Sequence, residues 1–209
     1  MNDNCRVIEH PVIQHKLGYL RDSDTESAEF RNIMKELGRL LAYEATRDLD
    51  LREDRVHTPL METAVRRIAK PPVVVSVMRA GNGMMDGILS ALPFASAGHI
   101  GIYRDKFINN TVEYYFKIPK DSKSRQILLV DPLVATADTM ISCIDRLKQY
   151  EVGEITIVTI LISPEGLKRI HHFHPEVKVV TASVEEGLND QGYLLPGIGD
   201  AGDRLYHTR

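Results

Sequence analysis

Leu128-Leu129-Val130-Asp131-Pro132-Leu133-Val134-Ala135-Thr136-Ala137-Asp138-Thr139-Met140 is the stretch on which the reading of this sequence turns. Ile127 to Val130 is a short, wholly apolar run, as expected of a strand covered on both faces in a parallel sheet. It ends in an acid, followed by a short loop of small and hydroxyl residues and then a helical segment from about Asp138 to Tyr150. A buried strand therefore delivers Asp131 to its carboxyl end, the place where open α/β sheets bind ligands. Free backbone N–H groups and Thr hydroxyls at the start of a helix suit a phosphate, aided by the helix dipole. The same residues also describe a helix simply capped by Asp138 or Thr136. Spacing alone leaves the two readings level.

Working outward, Val73 to Met78 and Ile155 to Ile162 repeat the apolar, β-branched pattern. Helical segments are predicted from about Met84 to Leu92 and from Pro164, with a further strand near Val177. Strand, loop and helix in alternation predict an α/β fold, an open parallel sheet with helices on both faces. Upstream, Phe30, Ile33, Met34, Leu37, Leu40, Leu41 and Ala45 predict an amphipathic helix, with an N-cap in Ser23-Asp24-Thr25. His99 to Tyr103 and Val112 to Ile118 read as two strands of a protruding β-hairpin arm, about 99–118, with a mobile tip at Asn109-Asn110. From Glu185 the chain is Gly-rich and unperiodic, which predicts a loop with free backbone amides. No repeat or linker interrupts residues 1–209, so they are read as one domain.

A second strand-to-loop junction carries polar groups: Met78-Arg79-Ala80-Gly81-Asn82-Gly83-Met84. Its Gly-x-Gly lacks the third glycine of a dinucleotide fingerprint, since position 86 is Asp, and no Gly-Lys-Ser/Thr occurs anywhere. What remains is Arg79 beside a Gly-rich turn at the mouth of the sheet. It suits an anionic oxygen, and it equally suits a tight turn with an exposed arginine.

Composition narrows the classes. Against 29 acidic side chains stand 26 basic ones, a formal net charge of -3, so there is no basic excess for nucleic acid or a membrane surface. Cys5 and Cys143 form neither a disulfide framework nor a zinc spacing, and are read as reduced thiols. The first twenty residues lack the apolar core of a signal peptide, and Ile155 to Ile162 is too short to span a bilayer. The expectation is a cytoplasmic protein with no membrane partner. His171, His172 and His174 point different ways on a helix and are not read as a metal site, and Cys143 is read as packed.

Several blocks in order carry a resemblance. They are His10-Pro11, Gln14-His15-Lys16-Leu17, Tyr43-Glu44-Ala45-Thr46, Arg79-Ala80-Gly81, Tyr103-Arg104, Val130-Asp131-Pro132, Pro164-Glu165-Gly166, His174-Pro175 and Gly197 to Leu205. On these the sequence resembles the uracil phosphoribosyltransferases, a branch of the type I phosphoribosyltransferases. The closing Pro196-Gly-Ile-Gly-Asp-Ala-Gly-Asp-Arg204 is specific to that branch.

The resemblance implies conversion of uracil and 5-phosphoribosyl 1-diphosphate (PRPP) to UMP and diphosphate, with Mg2+ carried mainly by PRPP. Asp131, Pro132, Leu133, Val134, Ala135, Thr136, Ala137, Asp138 and Thr139 align with the PRPP loop, where amides grip the 5-phosphate and Asp131 accepts from ribose hydroxyls. Arg79 and Arg104 align with the arginines of the diphosphate side, where charge builds on the leaving group. Leu194, Gly199, Asp200 and Ala201, in a C-terminal hood of about 185–209, align with the backbone that reads uracil. Asp200 also aligns with a PRPP contact, and with Asp131 it is the candidate catalytic residue. The resemblance further implies a homo-oligomer, to which the arm contributes, and in some members a GTP effector.

The sequence departs from that family in two places. The usual Ala-Thr-Gly-Gly-Ser of the PRPP loop is here Ala135-Thr136-Ala137-Asp138-Thr139, and Asn82 stands where Leu is usual. Losing both glycines removes freedom to turn tightly around a phosphate, and Asp138 is repulsive there unless its side chain points away. The departure motivates an alternative: a catalytically weak sensor or regulator that binds PRPP or UMP on the same fold. An RNA-binding attenuator of the same type would show a basic face, and no Lys/Arg cluster supplies one.

Overall fold

A computed structural model describes residues 4–105 and 110–208. In chain order the elements are β1 Cys5–Val7, α1 Pro11–Arg21, α2 Ser27–Ala45, β2 Leu51–His57, β3 Glu62–Ile68, β4 Val73–Met78, α3 Asn82–Ala91, β5 Ser96–Asp105, β6 Asn110–Lys117, β7 Ile127–Val130, β8 Leu133–Val134, α4 Asp138–Lys148, β9 Ile155–Ile162, α5 Pro164–Phe173, β10 Lys178–Val184, β11 Gly187–Leu188, β12 Leu194–Leu195 and α6 Ala201–Tyr206.

The apolar runs form the centre of the main sheet, whose order is β1-β10-β9-β7-β4-β5-β6, with the short β8 beside β9. All neighbours are parallel except β5 and β6, the arm, which pair antiparallel with an irregularity between Gly101 and Ile102. Every residue of β7 and β9 is buried, because helices cover both faces and leave no side for polar groups. On one face α1, α2 and α3 pack Leu20, Phe30, Met34, Leu37, Met84 and Ile88 over Leu128 and Val158. On the other, α4 and α5 pack Met140, Ile144, Leu147 and Ile170 over Leu129 and Ile157. The α2–α3 contact depends on glycine: a Cβ at Gly87 would sit 1.8 Å from the Lys35 carbonyl oxygen, and one at Gly38 2.5 Å from that of Met84.

The sheet and its helices agree with the sequence reading; several local details differ. Helix α2 starts at Ser27 behind Glu26, whose side chain makes no cap bond, so Ser23-Asp24-Thr25 is linker and not N-cap. Helix α1 is new: Pro11 at its first turn presets φ, and the His10 side chain accepts from the Val12 N–H at 3.2 Å. The hairpin β2–β3 is also new. It stands apart from the main sheet, and its charged residues hid its alternation. The C-terminal stretch is not all loop, since β11 pairs with β12 and α6 closes the chain. The expected arm is β5–β6; residues 106–109 of its tip lie outside the described residues.

Candidate active site

Asp131 follows β7 at the carboxyl edge of the sheet, where its N–H donates to the Val158 carbonyl at 3.3 Å. Burial of the carboxyl pushes it up to about 7, against the opposing pull of a hydrogen bond from the Leu133 N–H. Pro132 accepts through its carbonyl from the N–H groups of Ile160 and Leu161, and Val134 from that of Ser163, so β8 is clamped to β9. The Ser163 hydroxyl donates to the Ala135 carbonyl at 2.6 Å. A Cβ at Gly166 would lie 2.4 Å from that same oxygen, so α5 approaches the loop closely only because residue 166 is glycine.

Residues 135–139 then turn into α4. Ala137 takes φ 65°, the left-handed region, and is the N-cap with no side-chain cap bond. Capping by Asp138 or Thr136 is thus overturned. The Asp138 carboxylate meets the Arg169 guanidinium of α5 at 2.7 Å and the Thr136 hydroxyl at 2.8 Å. Thr139 lies in the first turn of α4, and Cys143 one turn further is fully buried. Burial first, and the Asp131 carboxylate next, push the Cys143 thiol up, which keeps it protonated and unreactive.

The loop from Arg79 to Gly83 leans on the same edge. A Cβ at Gly81 would lie 2.4 Å from the Val130 carbonyl oxygen, so this glycine brings the first loop against the end of β7. Asn82 accepts from the buried Ser76 hydroxyl at 2.8 Å, which gives the Leu-to-Asn departure a structural partner. The Arg79 guanidinium reaches the hood: it lies 5.5 Å from the Tyr206 ring centroid, and 3.9 Å from where a Cβ on Gly202 would stand. Tyr206 closes the contact by donating to the Arg79 carbonyl at 3.0 Å. Arg104 is in β5 opposite Thr111; its side chain lies outside the described residues. The base of the arm is docked on α4, through Arg146 to Glu113 at 2.9 Å and Thr111 Oγ1 to Ser142 Oγ at 3.0 Å.

The hood is fastened by side chains that the sequence reading did not single out. Glu185, only 1% exposed through its side chain, pairs bidentately with Arg21 at 2.6 and 2.8 Å and accepts from the Gly197 N–H at 2.8 Å. Burial alone would raise its carboxyl; hydrogen bonds from Arg21, Gly197 and Ser183 hold it below the usual carboxylate range. Gly197 has φ 65°, and a Cβ there would lie 2.2 Å from the Leu194 carbonyl oxygen. Arg204 lies over the Phe30 ring and donates to the carbonyls of Leu20 and Ile198, while Arg31 donates to that of Leu205. Leu194 and Ala201 bury their side chains, Gly199 and Asp200 are exposed, and Asp200 accepts from the Asp203 N–H at 2.9 Å as N-cap of α6. A signal for Glu185 was present: an acid ending an apolar strand. Its partner, 164 residues away, was not legible.

Three segments therefore converge: 79–83 packs at Gly81 against Val130, the residue from which 131–139 departs, and meets the hood at Arg79 and Tyr206. A cavity of about 990 Å³ lies between the hood and residues 23–28, lined by Leu194, Gly199 and Asp200 but by no residue of 131–139. No three His, Cys, Asp or Glu side chains gather to hold a metal among the described residues. His171 bonds the Val177 carbonyl, and His174 faces Lys148 and Asp145.

Comparison with known proteins gives the family and the fold. A protein from Legionella pneumophila (strain Philadelphia 1) named uracil phosphoribosyltransferase is 46% identical over 209 residues, covering 99% of this chain and 97% of that one. A namesake from Staphylococcus aureus (strain Newman) is 46% identical over 204 residues, covering 97% and 98%. The solved structure of AQ2163 protein from Aquifex aeolicus superposes with a TM-score of 0.93 at 34% identity, covering 98% of each chain. The adenine phosphoribosyl transferase of Trypanosoma brucei, at TM-score 0.53 and 15% identity over 83% of this chain and 71% of its own, shares the fold. The family model described as Uracil phosphoribosyltransferase matches residues 7–208, and with these relatives it shows that the chain belongs to the uracil phosphoribosyltransferase family.

Proposed function

We propose that this chain transfers the 5-phosphoribosyl group of PRPP to N1 of uracil, giving UMP and diphosphate in pyrimidine salvage. The bond from ribose C1 to the diphosphate oxygen breaks, the bond from C1 to uracil N1 forms, and the N1 proton is released. Negative charge accumulates on the leaving diphosphate, so the site needs cationic donors there more than it needs a nucleophile. Support comes above all from the meeting of the three segments at one edge of the sheet, with Arg79 spanning from the first loop to the hood.

The backbone of 131–139 wraps the 5-phosphate, with Asp131 accepting from the ribose hydroxyls. A carboxyl raised to about 7 is partly protonated in the free protein, so binding that uses its carboxylate form releases a proton near neutral pH. Arg79 and Arg104 take the diphosphate. The hood reads uracil through backbone groups of Leu194, Gly199, Asp200 and Ala201, because uracil offers alternating acceptors and a donor. Cytosine lacks the N3 proton and carries an amino group in place of O4, so it leaves these groups mismatched. Asp200, which aligns with a PRPP contact, is the second candidate catalytic carboxylate.

Single carboxylates rather than a cage are what the described residues offer a metal. That donor set fits a Mg2+ ion held mainly by PRPP oxygens, with Asp131 or Asp200 as the available protein ligand. When bound, Mg2+ supplies charge neutralisation at the diphosphate. Residues 1–209 act as one domain with the arm and hood as appendages, in the cytoplasm; no described helix is long and apolar enough to cross a membrane. A homo-oligomer is supported by β2–β3, since a lone two-stranded hairpin is marginal in water and this one exposes Leu60 and Met61 at its tip. A GTP effector enters on the family resemblance alone.

Incubating the protein with uracil, PRPP and Mg2+ should yield UMP and diphosphate in equal amounts, with cytosine inert. The same assay with and without GTP decides the effector. UMP binding without turnover would contradict the proposed activity.

A further inference from the structure

The phosphate loop of this chain carries a negative charge of its own, Asp138, in the first turn of the helix that follows it. Bare, that carboxylate would oppose any phosphoryl group drawn to the loop amides. It is not bare. The planar fork of Arg169, on the second turn of α5, places Nη2 2.7 Å from Asp138 Oδ1 and Nη1 2.5 Å from the Thr136 carbonyl oxygen. The Thr136 hydroxyl donates to the other carboxylate oxygen at 2.8 Å. One guanidinium thus bridges both sides of Ala137, the residue held at φ 65°. Arg169 comes within reach because Gly166 and Ser163 seat α5 against Ala135. Its side chain is about one-third exposed, so the pair sits where solvent screens it only in part.

We propose that Arg169 is a positioning residue for the 5-phosphate subsite. It neutralises Asp138, turns that carboxylate onto α5, and holds 136–138 in the shape that leaves the loop amides to the ligand. In a loop with glycine at both places neither task would arise: no charge would need cancelling and no alanine would need holding left-handed. Arg169 and the pair Ala137-Asp138 therefore form one compensated unit. The inference rests on the reading of 131–139 as a 5-phosphate loop.

Ribose 5-phosphate separates the two, because it probes the loop without uracil or diphosphate. Its dissociation constant is measured by calorimetry for wild type, Arg169→Ala, Asp138→Asn and the double variant, with thermal unfolding to verify folding. Arg169→Ala should weaken binding by on the order of tenfold or more, because the half-buried Asp138 carboxylate loses the guanidinium that turns it onto α5 and offsets its charge. Adding Asp138→Asn should return affinity to within a few-fold of wild type, since the amide keeps the shape and the Thr136 contact without the charge. In steady state, Arg169→Ala should raise KM for PRPP while kcat and KM for uracil stay near wild type. Unchanged ribose 5-phosphate affinity in Arg169→Ala, or no rescue by Asp138→Asn, would overturn the inference. Failure of the wild type itself to bind ribose 5-phosphate would overturn the loop reading beneath it.

Discussion

At the residue scale the most informative position is Ala137. A left-handed alanine costs about 1–2 kcal/mol, but a glycine there would lose a buried methyl, about 0.8 kcal/mol, and gain unfolded-state entropy worth about 0.4–1 kcal/mol. The terms nearly cancel, so Ala137→Gly should change stability by less than about 1 kcal/mol in urea unfolding. Ala137→Val should cost about 2 kcal/mol or more, because a β-branched residue does not tolerate positive φ. Asp131 makes a second prediction. Its folded-state pKa, about 7, lies above the ordinary 3.8, so the stability it contributes to the free protein is fully present below pH 4 and lost as pH rises through 7. The stability difference between pH 5 and pH 8 should therefore shrink in Asp131→Asn; an unchanged difference would mean the carboxyl is not buried as described. The place of Asp131 at the carboxyl edge of the sheet was legible in the sequence, because an apolar run that ends in an acid and a loop of small residues puts it there. The contact of Arg169 was not, since nothing in Pro164–Phe173 says that its one arginine faces a loop 31 residues back.

At the scale of elements, periodicity served well where one face or both faces are buried, as in α2, β4, β7 and β9, and poorly elsewhere. β2 and β3 escaped notice because their half-buried positions include Asp54 and Thr63, so the alternation is not an apolar one, and their ion pairs, Arg55 with Glu62 and Arg67 with Asp54, lie across strands. α6 escaped because it is short, holds Gly202 and Asp203 and follows Asp200, and its stability comes from Leu205 packed on Gly83 rather than from propensity. The hood as a whole hangs on Arg21 and Glu185. Arg21→Ala should leave a buried carboxylate unpaired, costing about 3–5 kcal/mol. The loss should appear as faster hydrogen exchange at the Gly197 amide and a higher KM for uracil than for PRPP. Because the Glu185 carboxyl is held low, its contribution is present at neutral pH and lost as pH falls below the usual carboxylate range, so hood protection should fail in acid first.

At the scale of the whole molecule, the open parallel sheet covered on both faces followed from three runs of β-branched residues, and the family from motifs spread along the chain, whereas the strand order was not legible. What the sequence could not yield was which loops meet, since that depends on close approaches at Gly81 and Gly166 that only the packed backbone reveals. Assembly is a separate matter, carried by the hairpin β2–β3. Light scattering should find a dimer or larger species, and charging its tip with Leu60→Glu and Met61→Glu should shift it toward monomer; a monomeric wild type would remove the hairpin's proposed role. The net charge of -3 adds a constraint: a highly anionic substrate gains nothing from the overall field, so the positive potential must be local. The central claim, that the edge of the sheet around Asp131 is the working site of a uracil phosphoribosyltransferase, is tested by steady-state UMP formation from uracil, PRPP and Mg2+ in wild type and Asp131→Asn. Wild type should turn over, and kcat/KM for PRPP should fall about a hundredfold in a folded variant. Equal turnover by both, or none by wild type, would contradict it.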